Sequence, residues 1–239
     1  MAGHSKWANI KHRKERADAK KGKIFSRITK EIISAVKQGG PDPKANSKLR
    51  LVIQKAKAAN LPAENIERNI KKAASADQAD YTEMTYELYG HGGVGILVEV
   101  MTDNKNRSAS DMRIATNKCG GTIANPGAVS YNFTRKGVIR LGKDHSEDEL
   151  FEFATENGAD DFSPTNEGFI LYSAPEDYLT LKEACDQKGY KSEEAGIEMI
   201  PNTLVDVAEE DIEKNGKLID WLENSDDVDA VYHNMNLES

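Results

Sequence analysis

Cysteine is scarce in this chain: two in 239 residues, Cys119 and Cys185, with no CxxC spacing between them. That argues against a disulfide framework and against a structural zinc site. Long apolar runs are missing too. The most apolar stretch, residues 95–100, contains Glu99 and falls far short of the roughly 20 residues of a membrane span. The opening residues, Met1-Ala2-Gly3-His4-Ser5-Lys6-Trp7, hold no apolar segment of the kind a secretory signal needs. Glu15 and Asp18 count against a transit peptide, so the expectation is a cytoplasmic protein. The histidines, His4, His12, His91, His145 and His233, are scattered without metal-ligand spacing. There is no GxSxG and no obvious Cys/His nucleophile pair. These absences leave no catalytic residue to nominate. The expectation is a non-enzyme with no cofactor, no metal, no small-molecule substrate and no membrane partner.

Charge is abundant but divided by position. Residues 1–75 hold 19 Lys and Arg against 6 Asp and Glu, a formal +13, while the remaining residues carry a formal −21. Within that remainder, residues 76–143 are nearly neutral and residues 144–239 carry a formal −22. A basic head on an acidic body is an argument about partners: the head suits a polyanion, most often nucleic acid. The acidic body keeps the rest of the surface off that polyanion.

The first 22 residues read as a basic arm or helix with little apolar surface beyond Trp7 and Ile10. A helix follows, because Ile24, Phe25, Ile28, Ile32 and Val36 recur at 3–4 spacing until Gly39-Gly40-Pro41 stops it. A second helix runs from about Asn46 to Ala59, with Leu49, Ile53 and Ala56 on one face, and Pro62 opens a third carrying Ile66 and Ile70. Residues 73–80 are small and polar and read as a linker. Beyond them the pattern is α+β. Strands are predicted at 84–89, 94–101, 128–133, 137–141, 159–163, 168–173, 193–200, 203–207 and 228–234. Helices are predicted at 107–119, 146–157, 176–188 and 209–224, with Ser146 and Glu149 as a capping box.

Residues 137–200 alone read strand, helix, strand, strand, helix, strand, the ferredoxin-like order. Without that piece the remainder gives the same order. The predicted fold is therefore α+β and multidomain. A small helical domain (1–75) precedes two ferredoxin-like domains, the later one (136–202, acidic) inserted into the earlier (80–135 plus 203–239).

Gly90-His91-Gly92-Gly93-Val94-Gly95 matches GxGxxG, but a strand and not a helix follows it, so it reads as a glycine-rich turn between strands and not as a dinucleotide site. Asp103-Asn104-Lys105-Asn106-Arg107 joins a strand to a helix, with Asn106 or Ser108 as the cap. It is either a polar turn or a phosphate contact in which Lys105 and Arg107 supply charge, helix-start amides supply donors, and Arg113 adds a further cation. The arm makes the stronger case. His4, Lys6, Trp7, Lys11, His12, Arg13, Lys14 and Arg16 combine cations with one aromatic able to stack on a base. So much like charge in so short a segment repels itself unless an anion is met. Cys185 lies four residues after Leu181 on one helix face and reads as core.

The residues also carry a resemblance. The opening run from Met1 to Lys14 resembles that of the YebC family. So do Tyr86-Glu87-Leu88-Tyr89-Gly90-His91-Gly92-Gly93-Val94, Thr102-Asp103-Asn104-Lys105-Asn106-Arg107 and Gly127-Ala128-Val129-Ser130-Tyr131-Asn132-Phe133. His91, where many members have proline, and Ala124-Asn125 depart from the pattern. The resemblance spans the chain and implies a helical domain followed by two α+β domains, and a role in regulating gene expression. It implies DNA-binding transcriptional regulation for bacterial members, translational activation for mitochondrial relatives, and ribosome association for some bacterial ones.

The leading expectation is a DNA-binding transcriptional regulator. Its arm and first helix (Lys6, Lys11, Arg13, Lys14, Arg16, Lys20, Lys21) neutralise phosphates, with Trp7 and His12 beside them. Lys48, Arg50, Lys55 and Lys57 extend the track, and Lys105, Arg107 and Arg113 form a second contact. Seven neutralised phosphates on duplex DNA give a salt slope of about −6. The alternative is a translation factor whose same residues grip ribosomal RNA. Against DNA, no helix-turn-helix with a base-reading helix is evident; against RNA, no strand of RNA-stacking aromatics is. A third class is an adaptor working through its acidic domain. The fold itself does not choose among them.

Overall fold

Apolar side chains three and four residues apart wind the first part of the chain into three helices. The computed structural model describes residues 17–75 and 80–237, with side chains from Ile24 onward except that of Ala58. Helix α1 spans Ala17–Gly39, α2 Ser47–Ala58 and α3 Ala63–Ala73. Ile28, Ile32 and Val36 of α1 meet Leu49, Val52 and Ala56 of α2 and Ile66 of α3 in one buried cluster. Ile24, expected on that face, is 38% exposed. The corner between α1 and α2 is held by Asn46. Its carboxamide oxygen caps Leu49 N at 3.0 Å, and its nitrogen donates to the carbonyls of Ala35 and Gly40, each at 2.8 Å. A Cβ at Gly39 would lie 2.7 Å from that carboxamide, so only glycine lets the side chain pass. Half of the predicted linker, residues 76–79, lies outside those described, and its first residue, Ala73, still belongs to α3.

Two four-stranded antiparallel sheets follow. The described residues separate into two compact units: residues 17–75 and 80–130 with Val205–Met235, and Tyr131–Leu204 with residues 236–237. In the first unit β1 (Thr82–Tyr89) and β2 (Gly95–Thr102) form a hairpin in register from Thr82↔Thr102 to Tyr89↔Gly95. The glycine-rich segment is the turn between them, with Gly92 at φ 67° and Gly93 at φ 81°, the left-handed region that glycine enters freely. Helix α4 (Lys105–Cys119) comes next, then a two-residue strand β3 (Thr122–Ile123) on the outer edge of β1. After the chain returns at Val205, α7 (Glu209–Glu223) packs against α4, and β8 (Val228–His233) pairs with β2. The order across the sheet is β3-β1-β2-β8.

Two predicted strands are absent from this sheet. Residues 128–133 alternate Val129, Tyr131 and Phe133 as a strand would, yet they curl through a 3-10 turn at Ser130–Asn132. The cause is Glu87. Its buried carboxylate accepts the backbone amides of Gly127 (2.7 Å), Val129 (2.6 Å) and Ser130 (2.8 Å). Three amides aimed at one side chain cannot also serve a ladder. These bonds hold the Glu87 carboxyl below its usual range, even though burial acts in the opposite direction. Residues 203–207 likewise make only one bridge, Val205 to Met235, because Thr203 is tied to Asn132 through Thr203 N→Oδ1 at 3.0 Å and Nδ2→Thr203 O at 2.8 Å. Their places in the sheet are taken by β1 and β3.

The second unit has the order strand, helix, strand, strand, helix, strand: β4 (Phe133–Gly142), α5 (Glu147–Glu156), β5 (Asp161–Thr165), β6 (Gly168–Ser173), α6 (Tyr178–Lys188), β7 (Ser192–Pro201). The sheet reads β5-β6-β4-β7, the ferredoxin-like arrangement. Helix α6 lies on β4 and β7 and buries Leu181 and Cys185 completely; burial pushes the Cys185 thiol up to about 11. At α5, Ser146 is the N-cap, but its hydroxyl makes no capping bond, so the expected box does not form. Glu147, Asp148 and Glu149 in the first turn favour that helix end through its dipole instead. One buried ion pair crosses β4 to β7, with Arg140 donating to both oxygens of Glu198 at 2.9 and 3.0 Å.

Candidate nucleic-acid interface

The basic helices divide their cations between two tasks. On α2, Lys48 and Lys55 stand seven residues apart along one flank, and Arg50 and Lys57 stand seven apart along the other. The first flank is occupied. Lys48 pairs with Glu83, and Lys55 bonds Glu31 at 2.5 Å and lies 3.9 Å from Asp229. The second flank meets no acid among the described residues: Arg50 donates only to the carbonyls of Pro43 and Lys44 at 3.4 Å, and Lys57 is exposed. Helix α1 also spends cations internally. Arg27 donates to the carbonyls of Glu223 (2.8 Å) and Asp229 (3.4 Å), and Lys30 to that of Asp226 (2.8 Å). The helical bundle is thereby fastened to the turn between α7 and β8.

Asp227, in that turn, is the hub. Its side chain is 2% exposed and takes Arg107 Nε at 2.9 Å and Nη2 at 2.8 Å, Thr102 Oγ1 at 2.9 Å, Ser108 Oγ at 3.0 Å and Lys30 Nζ at 3.2 Å. Burial opposes ionisation there, but the Arg107 guanidinium and the other donors outweigh it and hold the carboxyl well below the usual carboxylate range. Arg107 pairs with Asp103 as well, at 2.7 Å. Both bonds raise the guanidinium above its ordinary value. Glu31 has the opposite fate. Burial, helped by Asp229, pushes its carboxyl up to about 7 although Lys55 pulls it down.

Of the sequence-predicted contact residues, Lys6, Trp7, Lys11, His12, Arg13, Lys14 and Arg16 lie outside the described residues. Lys20 and Lys21 fall on α1, within the part whose side chains are not described. Lys48 and Lys55 are in internal ion pairs. Arg107 is fixed on Asp227 and Asp103 but keeps its side chain 47% exposed. Lys105 and Arg113 are exposed. Asn104, and not Asn106 or Ser108, caps α4, accepting Asn106 N and Arg107 N at 3.1 Å each. Those two amides are therefore satisfied before any phosphate arrives. Ser108 is instead a donor to Asp227.

Asp227, Glu31 and Glu87 were not singled out from sequence. Asp226-Asp227 sits in a strongly acidic tail, where nothing local distinguishes one carboxylate from its neighbours. The usable signal was the even balance of the middle segment, whose cations need anions from elsewhere in the chain. Among the described residues no group of three His, Cys, Asp or Glu stands as a metal cluster, and no helix is long and apolar enough to cross a membrane.

Comparison with known proteins supplies the family. Residues 5–76 match the TACO1/YebC protein N-terminal domain, and residues 81–235 match the TACO1/YebC second and third domain. A protein of Protochlamydia amoebophila named "probable transcriptional regulatory protein" is 63% identical over 238 residues, covering 99% of this chain and 97% of that one. A protein of Chlamydia pneumoniae with the same description is 60% identical over 98% of this chain and 100% of its own. The crystal structure of a conserved hypothetical protein from Aquifex aeolicus superposes with a TM-score of 0.83 at 43% identity, covering 92% of this chain and 91% of that one. With both domain models matched across nearly its whole length and relatives this similar, the chain belongs to the YebC family.

Proposed function

We propose that this protein is a non-enzymatic regulator of gene expression that grips nucleic acid through its basic N-terminal segment, with DNA as the partner and transcription as the process regulated. The observation that carries the reading is the concentration of a formal +13 in residues 1–75, together with a flank of α2 (Arg50, Lys57) that has no acidic partner among the described residues. The names of the chlamydial relatives support regulation of transcription. The partner is bound through its phosphates, so affinity follows salt and depends little on sequence.

RNA on the ribosome is the second reading, and one observation favours it. Helix α2 is the natural candidate for a groove-reading helix, yet half of its cations are committed to Glu83, Glu31 and Asp229. What remains suits backbone contact on an irregular polyanion. The deciding experiment is to crosslink the protein in living cells, recover it under denaturing conditions and sequence the attached nucleic acid. A control with Lys11, Arg13, Lys14 and Arg16 changed to Glu runs alongside. Discrete DNA segments, lost in the control, establish the transcriptional reading. Ribosomal RNA, lost in the control, replaces it with the translational one. Material recovered equally from both forms refutes the basic grip.

A further inference from the structure

An open cleft of about 890 Å³ lies between α1, α4 and the end of α7. Its size falls within the range of roughly 300–1,000 Å³ common to small-ligand sites. We infer that it receives one unpaired nucleobase bearing an exocyclic amino group, from a single strand or a free nucleotide; this rests on the nucleic-acid reading above.

Three features point to that occupant. The first is an aromatic wall. Trp221 lines the cleft at 40% exposure, and Lys118 Nζ lies 4.6 Å from its ring centroid. An exposed indole in a cleft is a stacking surface, and bases stack on such rings with little regard to sequence. Met112 and Leu222, both buried, continue the apolar lining. The second is an acceptor. Asp111 Oδ2 takes a bond from Ser225 Oγ at 3.0 Å, while Oδ1 has no donor among the described residues. A carboxylate accepts from the amino group of cytosine and is repelled by the carbonyl that uracil places there. The third is charge. Lys30 and Arg107 line the same cleft, and Arg107 stays half-exposed while bound to its carboxylates. Each can meet a phosphate without leaving Asp227. The stacking ring and the amino acceptor match the face and the edge of a base, and the cations match its phosphate. Asp226 and Asp227 line the cleft as well, so a basic peptide is the competing occupant that the test must exclude.

The test uses the full chain with Trp7→Phe, so that Trp221 is the sole indole. Its fluorescence is titrated with cytidine and uridine monophosphates, with single-stranded oligo-C and oligo-U, with a DNA duplex, and with an oligo-arginine peptide. The expected result is quenching by cytidine monophosphate and oligo-C about tenfold more effective than by their uracil counterparts, and none by the duplex. Quenching by the mononucleotide equal to that of the strand identifies a free nucleotide as the ligand; stronger quenching by oligo-C identifies the strand. Asp111→Asn, whose amide serves either base, erases the preference between cytosine and uracil while quenching persists. Equal quenching by both bases in the chain that keeps Asp111, no quenching by either, or quenching by oligo-arginine alone overturns the inference. Salt-dependent duplex affinity is measured by anisotropy on the chain that keeps Trp7. If it is present without quenching, the cleft inference fails and the basic grip stands. If quenching by the mononucleotide occurs without it, the reverse holds.

Discussion

At the scale of single residues, two buried carboxylates respond to pH with opposite signs. Asp227 ionises more readily in the folded chain than in the unfolded one. Its contribution is therefore complete above pH ~4, near the free carboxylate value, and is lost as pH falls through the depressed folded value. Glu31 ionises less readily, at about 7 against an ordinary 4.5. Its contribution is complete below that ordinary value and is lost as pH rises through about 7. Stability should thus peak in the mildly acid range. Asp227→Asn leaves Lys30 and Arg107 without their shared anion. Breaking a buried pair costs roughly 3–5 kcal/mol, and the half-exposed Arg107 lowers that to about 2–3 kcal/mol here. Thermal unfolding followed from pH 3 to 8 checks both. Asp227→Asn lowers Tm above pH 4 and flattens the acid limb. Glu31→Gln flattens the decline that the wild type shows between about pH 4.5 and 7. An unchanged acid limb in the first variant, or an unchanged decline between about pH 4.5 and 7 in the second, refutes the corresponding assignment.

Among the elements, α2 separates anchoring from binding along its two flanks. Arg50→Gln with Lys57→Gln removes two cations that hold no acid, so Tm stays within a degree or two while the salt slope of nucleic-acid binding falls by about 2. Lys48→Gln with Lys55→Gln does the reverse, lowering stability by about 1–2 kcal/mol and leaving the slope unchanged. The core face of this helix was legible in the sequence because periodicity is local: Leu49 and Ala56 repeat at seven and sink into the bundle. The unit from β4 to β7 was legible for the same reason, since each strand and helix declares itself within about ten residues. The flanks were not legible, because Glu31, Glu83 and Asp229 come from distant segments. The segment 128–133 shows the same limit. Its alternation is that of a strand, and Glu87, some forty residues earlier, overrules it by taking the amides of Val129 and Ser130 along with that of the preceding Gly127. Tyr131, which the alternation would have placed on a face with Val129 and Phe133, is 78% exposed as a result. Propensity specified the elements; side chains remote in sequence specified which of them joined the sheet.

For the whole molecule, the division of charge is an internal arrangement as well as an external one. The +13 head is partly neutralised at home: Arg27, Lys30, Lys37 and Lys48 face acids or carbonyls of the segment that follows, and Lys55 pairs with Glu31 of the head itself and lies 3.9 Å from Asp229. That docking has two consequences. Fewer cations are left for a polyanion than composition suggests, and those left include the arm, the start of α1, the outer flank of α2 and, on α3, Arg68, Lys71 and Lys72. The seven cations of the arm and α1 with Arg50 and Lys57 give a salt slope on duplex DNA of about −8, from about −0.9 per phosphate. Removing residues 1–16 takes away Lys6, Lys11, Arg13, Lys14 and Arg16, which should reduce the slope by about 4–5. Stability should hardly change, because the docking contacts named above all start at or beyond Arg27. Anisotropy titrations between 50 and 200 mM salt, paired with thermal melts of the same truncated chain, test this. A slope that survives truncation would move the grip to the described helices and to Arg50, Lys57, Lys105 and Arg113. A collapse of Tm would make the arm part of the fold, and its positive charge would then serve the acidic body of its own chain before any nucleic acid.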